Sequence, residues 1–425
     1  VSGLAAQAFG LAWAGAASLA APVLRLSLHR RVQRGKELAD RLAERRGVDD
    51  TARPAGTLLW LHAASVGETV SVLPVLAQLP ADVSVLLTTG TVTSAALLGQ
   101  RLPAMGLESR VIHRFAPLDV PAWAGRFLDH WRPDAAAFVE SELWPNQLAA
   151  ARSRGIPMML LNGRLSERSA ASWARAPAFA KAVLGSFAHI HARSEADAAR
   201  FRALGASAVE TPGDLKFAAP PLPADLKALE SLQEILGSRP VWLAASTHPG
   251  EEELVAAAHR QLAPAHPGLL TIIAPRHPER GVEIAAALGA PARSAGEPPP
   301  SGGIWIADTL GELGLWYRLA PIALVGRSLL PPGGGQNPLE GARLGCAVAV
   351  GPYTANFTDH VSLLRESGGL EELPGPEAIA PWVAALLADP ERRRRMGEAG
   401  AAAAQRHTNL PAQTAGALLA LLGRD

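Results

Sequence analysis

The stretch TLLWLHAASVGETVSVLPVLAQLPADVSVLLTTG (57–90) sets the fold class. TLLWLH (57–62) is an unbroken apolar run of strand length, and VSVLLTTG (83–90) repeats it. Between them, ETVSVLPVLAQL carries the apolar spacing of a helix. A strand, a helix and a second strand make a βαβ unit, and unbroken apolar strands belong to a parallel sheet covered on both faces. Further along, RVIHRF (110–115), AAAFVE (135–140) and PMMLLN (157–162) continue the theme, each ahead of a helical segment. AHIHARS (188–194) and SAVETPG (207–213) read as the last strands of this half. The Pro-rich FAAPPLPADL (217–226) then breaks the pattern and reads as a linker. Beyond it PVWLAAS (240–246), LLTIIAP (269–275), GIWIAD (303–308), PIALVG (321–326) and CAVAVGP (346–352) restart it, with EPPPSGG (297–303) as a surface loop. The expected architecture is α/β: two Rossmann-like domains, 37–216 and 227–425, facing a cleft where the C-terminal strand ends bind ligands. The last helix could pack back on the first domain.

Length and composition agree. A chain of 425 residues suits two domains, and 48% hydrophobic with 19% charged residues excludes a disordered or fibrous protein. Forty Lys and Arg against 39 Asp and Glu leave +1, so no basic field recruits nucleic acid. A single cysteine, Cys346, excludes an internal disulfide and argues against a thiolate zinc site. These features favour an intracellular protein.

Residues 1–24 carry no charged side chain, and Arg25, His29, Arg30, Arg31, Arg34 and Lys36 come directly after them. As a helix, a run of that length reaches about 36 Å, enough for a hydrocarbon core of about 30 Å. Its many Ala and Gly residues make a weak span, so it could equally lie in the interface. Residues 1–36 are therefore expected to attach the chain to a membrane, in preference to a secretory leader or a soluble helix. The basic flank puts the remainder of the chain on the cytoplasmic side. The charged segment 37–53 reads as a solvated helical connector.

Chemistry-bearing residues collect at strand ends. In HAASVGET (62–69), Glu68 falls in the first turn of a helix, either as a carboxylate favoured by the macrodipole or as a general base. Gly67 lets a substrate approach the backbone. In ESELWPNQ (140–147), Glu140 and Glu142 share a face if the chain stays extended, to orient hydroxyls or share a proton; Trp144–Pro145 otherwise just opens a helix. Asn162 and Arg164 end the next strand, to hold a sugar or phosphate or to cap a surface. In AASTHPGEEE (244–253), Ser246 and Thr247 read as N-cap residues, before amides that form an anion site. APRHPERG (274–281) adds Arg276, His277 and Arg280; Arg suits a phosphate, and His277 lacks partners at ligand spacing for a metal. PPGGGQNPLEGA (331–342) offers three glycines with free amides for a nucleotide phosphate or sugar, and Glu340 for ribose hydroxyls, or else a plain loop. It is no Walker loop, and no GxSxG elbow occurs. His259, His266 and His407 read as surface residues.

Taken in order, HAASVGE, ESELWPN, NGRLSERS, GDLKF, STHPGEE, PRHPER, DTLGEL, LVGRSL, GGGQNPLE and GPYTANF resemble the 3-deoxy-D-manno-octulosonic acid (Kdo) transferases of lipid A biosynthesis, over nearly the whole chain. The resemblance implies an inverting GT-B glycosyltransferase at the cytoplasmic face of the inner membrane. It implies CMP-Kdo as donor substrate, a tetraacylated lipid A precursor as acceptor, and no metal or other cofactor. The Glu of SVGE, the family's base, falls on Glu68, and a second acceptor-side carboxylate on Glu142. Ser246, Thr247, Arg276, His277, Gly334, Gly335, Asn337 and Glu340 form the expected donor side; Ser65, Gly67, Glu140, Asn162 and Arg164 form the acceptor side. Two positions depart from the family pattern: Gln336 stands where His is usual, and Arg327 where a second Gly is common. Two other readings share the fold. A sugar-nucleotide 2-epimerase needs no lipid, against which the charge-free 1–24 argues; a silent membrane adaptor has no use for Glu68.

Overall fold

The computed structural model describes residues 2–218 and 221–424, so positions 219 and 220 of the expected linker lie outside the described residues. The chain divides into two compact units, Val1–Ala219 with Asn409–Asp425, and Pro220–Thr408. Each is built on one parallel sheet.

The first sheet contains β1 (Thr57–His62), β2 (Val83–Thr89), β3 (Val111–Phe115), β4 (Ala135–Val139), β5 (Met158–Gly163), β6 (His189–Ala192) and β7 (Val209–Glu210). Their spatial order is β3-β2-β1-β4-β5-β6-β7, every pair parallel. The second sheet contains β8 (Val241–Thr247), β9 (Leu270–Pro275), β10 (Gly303–Ile306), β11 (Ile322–Val325), β12 (Ala347–Val350) and β13 (Leu370–Glu372), in the order β10-β9-β8-β11-β12-β13. The edge strand β13 is too short and polar to read as a strand in the sequence. In both sheets the order reverses beside the first strand, between β1 and β4 and between β8 and β11, which is where open α/β sheets bind ligands.

The unbroken apolar runs are explained by burial on both faces. Leu58, Trp60, Ala136 and Phe138 enter one core, and their neighbours Leu59, Leu61, Ala137 and Val139 enter the other. The period of two sorts alternate residues to opposite faces. In the second unit Trp242, Ala244, Ile322 and Leu324 share a core in the same way.

The helices that bear on the site are α1 (Ser2–Gln33), α2 (Val66–Gln78), α3 (Pro121–Trp131), α4 (Pro145–Ser153), α5 (Pro177–Leu184), α6 (Glu251–Leu262), α7 (Leu339–Arg343) and α8 (Leu410–Leu421). The last of these packs in the first unit, where Leu410 and Leu418 share a core with Leu73 and Leu76 of α2. Helix α1 is long and apolar enough to cross a membrane. Nonetheless Ala6, Gly10, Ala14, Ala17, Ala21, Leu24, Leu28 and Val32, spaced three or four apart, form a half-buried stripe in which Leu28 is fully buried. The small residues let it approach the unit closely: Phe9 meets Phe179 of α5, Trp13 donates to Asp119, and Arg25 lies over Trp123 of α3.

Two expectations need correction here. Segment 37–53 is not a solvated helix. It forms two 3-10 turns, Ala39–Arg41 and Glu44–Arg46, and buries Glu37 and Arg45 as an ion pair with Nε–Oε2 at 3.0 Å. His259 is no surface residue; it is buried, with Nδ1 2.8 Å from Thr271 Oγ1.

Candidate functional site

Backbone conformation marks the site before any side chain does. Among the described residues, five non-glycines adopt the left-handed region: Arg132, Glu140, Asn162, Ser246 and Arg327. Arg132 closes a helix. The other four sit at or just past the ends of β4, β8 and β11, which flank the switch points, and of β5 beside β4. Such conformations cost on the order of 1–3 kcal/mol each and gather at functional sites.

In the first unit, Ser65 caps α2 and Glu68 follows in its first turn. Ser65 Oγ donates to Glu68 Oε1 at 2.7 Å, and the Ala64 amide donates to Oε2 at 2.8 Å. The helix-start role is thus real, yet each carboxylate oxygen keeps lone-pair capacity for another proton. Glu68 is only 8% exposed, and burial pushes its pKa above the usual carboxylate range, reinforced by repulsion from Glu142 and Glu140. Over Gly67 there is open space: a Cβ built there meets nothing within 4 Å.

Glu140 and Glu142 do not share a face, because the left-handed φ of Glu140 breaks the extended chain. Glu140 turns to Lys216, with Nζ 2.7 Å from Oε1. Glu142 turns to His62, whose Nε2 lies 3.1 Å from Oε2, and also accepts the Trp144 indole N–H. Burial works to raise Glu142, but these hydrogen bonds outweigh it and hold its pKa below the usual range. The two neighbouring carboxylates are therefore pushed apart, Glu68 up and Glu142 down. Asn162 spends its side chain internally, Nδ2 donating to Asp214 at 2.9 Å and Oδ1 accepting from the Leu215 amide at 2.9 Å. It shapes the turn that presents Lys216. Arg164 is exposed at the end of β5. His62 and Lys216 were missed by sequence reasoning; each stands inside a quoted motif, HAASVGE and GDLKF, but without a spacing that marks it.

The second unit corrects the expected anion cradle. Helix α6 is capped by Gly250, not by Ser246 or Thr247, which still belong to β8. Thr247 Oγ1 points inward to Glu252 at 3.0 Å, and Arg280 Nη1 meets the same carboxylate at 2.8 Å. Glu251, buried at 1% exposure, accepts from the amides of His248, Arg327, Ser328 and Leu329, so it clamps the turn after β11 to α6. Nor are two of the three glycine amides free. Gly334 donates to the Tyr353 carbonyl and Gly335 to that of Arg327. What remains to meet a ligand is chiefly side chains: exposed Arg276 and His277, His248 edge-on to His277, and Gln336, whose Nε2 lies 3.2 Å from His248 Nε2. Asn337 Oδ1 accepts from the Leu339 amide at the start of α7, and burial raises the pKa of Glu340 beside it. The left-handed φ of Arg327 explains why glycine is usual there.

Two parallel sheets, each with a switch point beside its first strand, are the architecture of the GT-B fold. The crystal structure of MurG from Acinetobacter baumannii matches with a TM-score of 0.54 over 86% of this chain and all of its own, at 12% identity. Residues 40–219 match the family model of 3-deoxy-D-manno-octulosonic-acid transferases (kdotransferase). The 3-deoxy-D-manno-octulosonic acid transferase of Bordetella pertussis is 36% identical over 424 residues, 95% of this chain and 97% of that one. That of Haemophilus influenzae is 35% identical over 374 residues, 85% and 86% respectively. The chain belongs to the Kdo transferase family.

Proposed function

We propose that this chain transfers Kdo from CMP-Kdo to the primary hydroxyl of a lipid A precursor sugar, with Glu68 as general base. The observation that carries this reading is Glu68 itself: buried at the switch-point edge, oriented through both oxygens, and raised in pKa so that it is a better base than a solvated carboxylate. Glu68 takes the hydroxyl proton while the acceptor oxygen forms its bond to the anomeric carbon. The bond from that carbon to the phosphate oxygen breaks on the opposite face, inverting the centre, and CMP leaves with the electron pair.

The first unit holds the acceptor, with Ser65, Gly67, Glu140, Glu142, Asn162 and Arg164 around the base and Lys216 paired to Glu140. The second holds the donor, with Arg276 and His277 at the phosphate, Gln336 and Asn337 near it, and Glu340 for ribose. Ser246, Thr247, Gly334 and Gly335 shape that site through the backbone. The phosphate is met chiefly by side-chain charge, because the amides of Gly334 and Gly335 are spent. Transfer needs no resident metal on this reading. The reaction runs at the cytoplasmic face of the inner membrane, which the apolar outer face of α1 meets.

The test is a transfer assay with full-length protein, CMP-Kdo and tetraacylated precursor, with and without EDTA, beside Glu68→Gln. We expect Kdo-sized mass increments that EDTA leaves intact. The variant should lose on the order of 10²–10⁴ in kcat while still binding CMP. Full activity in Glu68→Gln would remove it as the base, and loss in EDTA restored by magnesium would remove the metal-free step.

A further inference from the structure

We propose that Arg45 is a positioning residue for the base: through Gly90 it fixes Ala64, whose amide holds the carboxylate of Glu68. This rests on the reading of Glu68 as the general base. Arg45 stands in the second 3-10 turn after α1, and its side chain is only 4% exposed. A guanidinium buried so deeply must be paired and must place its N–H groups. Nε and Nη2 form a fork on Glu37, at 3.0 Å to Oε2 and 3.1 Å to Oε1. Nη2 also donates to the Gly90 carbonyl at 2.6 Å, and Nη1 to those of Ala116 at 3.2 Å and Thr89 at 3.4 Å. All five N–H groups are used. The ion pair takes two of them, and the other three brace backbone oxygens at and just past the ends of β2 and β3.

From there the bonds run to Glu68. Gly90, held at its oxygen by Arg45, gives its N–H to the Ala64 carbonyl at 2.8 Å. Ala64, held at its oxygen in turn, gives its own N–H to Glu68 Oε2 at 2.8 Å. The Ser65 hydroxyl holds the other oxygen. The fit at Gly90 is close, since a Cβ there would stand 2.8 Å from the Ala64 oxygen. Its φ is not left-handed, so close approach, and not a backbone turn, is what requires glycine at this position.

This chain bears on the chemistry of the base as well as its aim. Burial raises the pKa of Glu68, the Ser65 hydroxyl and the Ala64 amide lower it, and Glu142 and Glu140 add repulsion. A donor lost from a carboxylate disfavours its charged form. If Ala64 is released, Glu68 is therefore both misaimed and harder to deprotonate. The other charged groups facing it keep partners of their own, Glu142 with His62 and Glu140 with Lys216.

The experiment measures the pH dependence of initial rates in full-length wild type, Arg45→Lys, Gly90→Ala and Arg126→Gln. Lysine keeps the charge opposite Glu37 but has three donors on a point charge, so it cannot hold Glu37 and the carbonyls together. Gly90→Ala parts the same chain further along and changes no charge. Arg126 is exposed and donates to the Arg46 carbonyl, so Arg126→Gln loosens the same turn without entering the chain. In Arg45→Lys and Gly90→Ala, kcat at the pH plateau should fall about tenfold or more, with both KM values within about twofold. The midpoint of the acid limb of kcat/KM should move to higher pH in both, and stay at the wild-type position in Arg126→Gln. Replacing Glu37 and Arg45 together by Met removes the first link without leaving a buried charge unpaired. It should give the same shift, and it keeps Arg45 under test if the Lys variant does not fold. A midpoint that stays in place when Arg45 is replaced would reduce it to a structural ion pair, and an equal shift in Arg126→Gln would assign the effect to a loosened turn; both overturn the inference. A wild-type rate and limb in Glu68→Gln overturn the reading of the base instead.

Discussion

At the scale of single residues, the contact between Gln336 and His248 turns a departure from the family into chemistry. The Gln336 amide nitrogen lies 3.2 Å from His248 Nε2, a contact in which it donates to a neutral ring protonated on Nδ1. Its surroundings agree: burial lowers the His248 pKa, and Arg327, His277 and Arg276 lower it further. Gln336→Glu replaces the donor with an anion that favours the charged ring. We expect the His248 pKa, followed by NMR titration, to rise from below to above the ordinary value of about 6.5, and CMP-Kdo affinity to become pH-dependent between those values. An unmoved titration would mean that the pair does not set the state of the ring. Glu68 gives the opposite reading of the same logic. A base must be deprotonated, so kcat/KM should climb as pH rises through its elevated pKa. The midpoint of that limb should lie above the ordinary carboxylate value of about 4.3, and Glu68→Gln should abolish the limb.

At the scale of elements, the loop 333–335 shows what glycine does here. All three residues have left-handed φ, at 56°, 110° and 77°. A Cβ on Gly334 would stand 2.4 Å from Asn356 Nδ2, and one on Gly333 2.2 Å from Tyr353 Cβ. The glycines therefore allow close packing of the loop on 353–356, and the amides of Gly334 and Gly335 are spent within it. Gly334→Ala should destabilise the second unit by about 1–3 kcal/mol and lower its melting temperature, with CMP binding weakened only as far as the loop is displaced. A variant as stable as wild type would show that the loop can relax. The contrast with the strands explains what could be read in advance. TLLWLH and its counterparts were legible because a doubly covered strand must be apolar at every position, a one-dimensional signal. Glu68 was legible because its cap, Ser65, lies three residues away. Lys216 was not, because its partner Glu140 is 76 positions distant and meets it only through the turn that Asn162 and Asp214 build. The spent glycine amides were equally hidden, since their acceptors lie on separate loops. The burial of Arg45 depended on Glu37 and on carbonyls from beyond β2 and β3, which no local window contains.

At the scale of the molecule, the proposed membrane attachment has two possible geometries, which the contacts of α1 distinguish. Its half-buried stripe runs from Ala6 to Val32, and its contacts with Phe179, Asp119 and Trp123 fall at residues 9, 13 and 25, a separation of about 24 Å along the helix axis. A helix crossing the membrane would carry those partners to the same depth, including the Asp119 carboxylate, which also caps α4 through the amides of Asn146 and Gln147. Lying in the interface demands none of this. It leaves Leu4, Leu11, Leu19, Val23 and Leu26 as an uncharged outer face, with the basic cluster after it set for anionic headgroups. The two orientations put the start of α1 on opposite sides of the bilayer, and one introduced thiol can tell them apart. Cys346 is buried, with its thiol pushed up to about 12, so the native background toward maleimides is low. Gln7 is exposed near the start of α1 and off that apolar face. In Gln7→Cys, a membrane-impermeant maleimide should label inverted vesicles, whose cytoplasmic face is outward, and leave right-side-out vesicles unlabelled until detergent is added. Labelling of right-side-out vesicles alone would mean that α1 spans the bilayer, and the contacts along its half-buried stripe would then have to open in the membrane-bound protein.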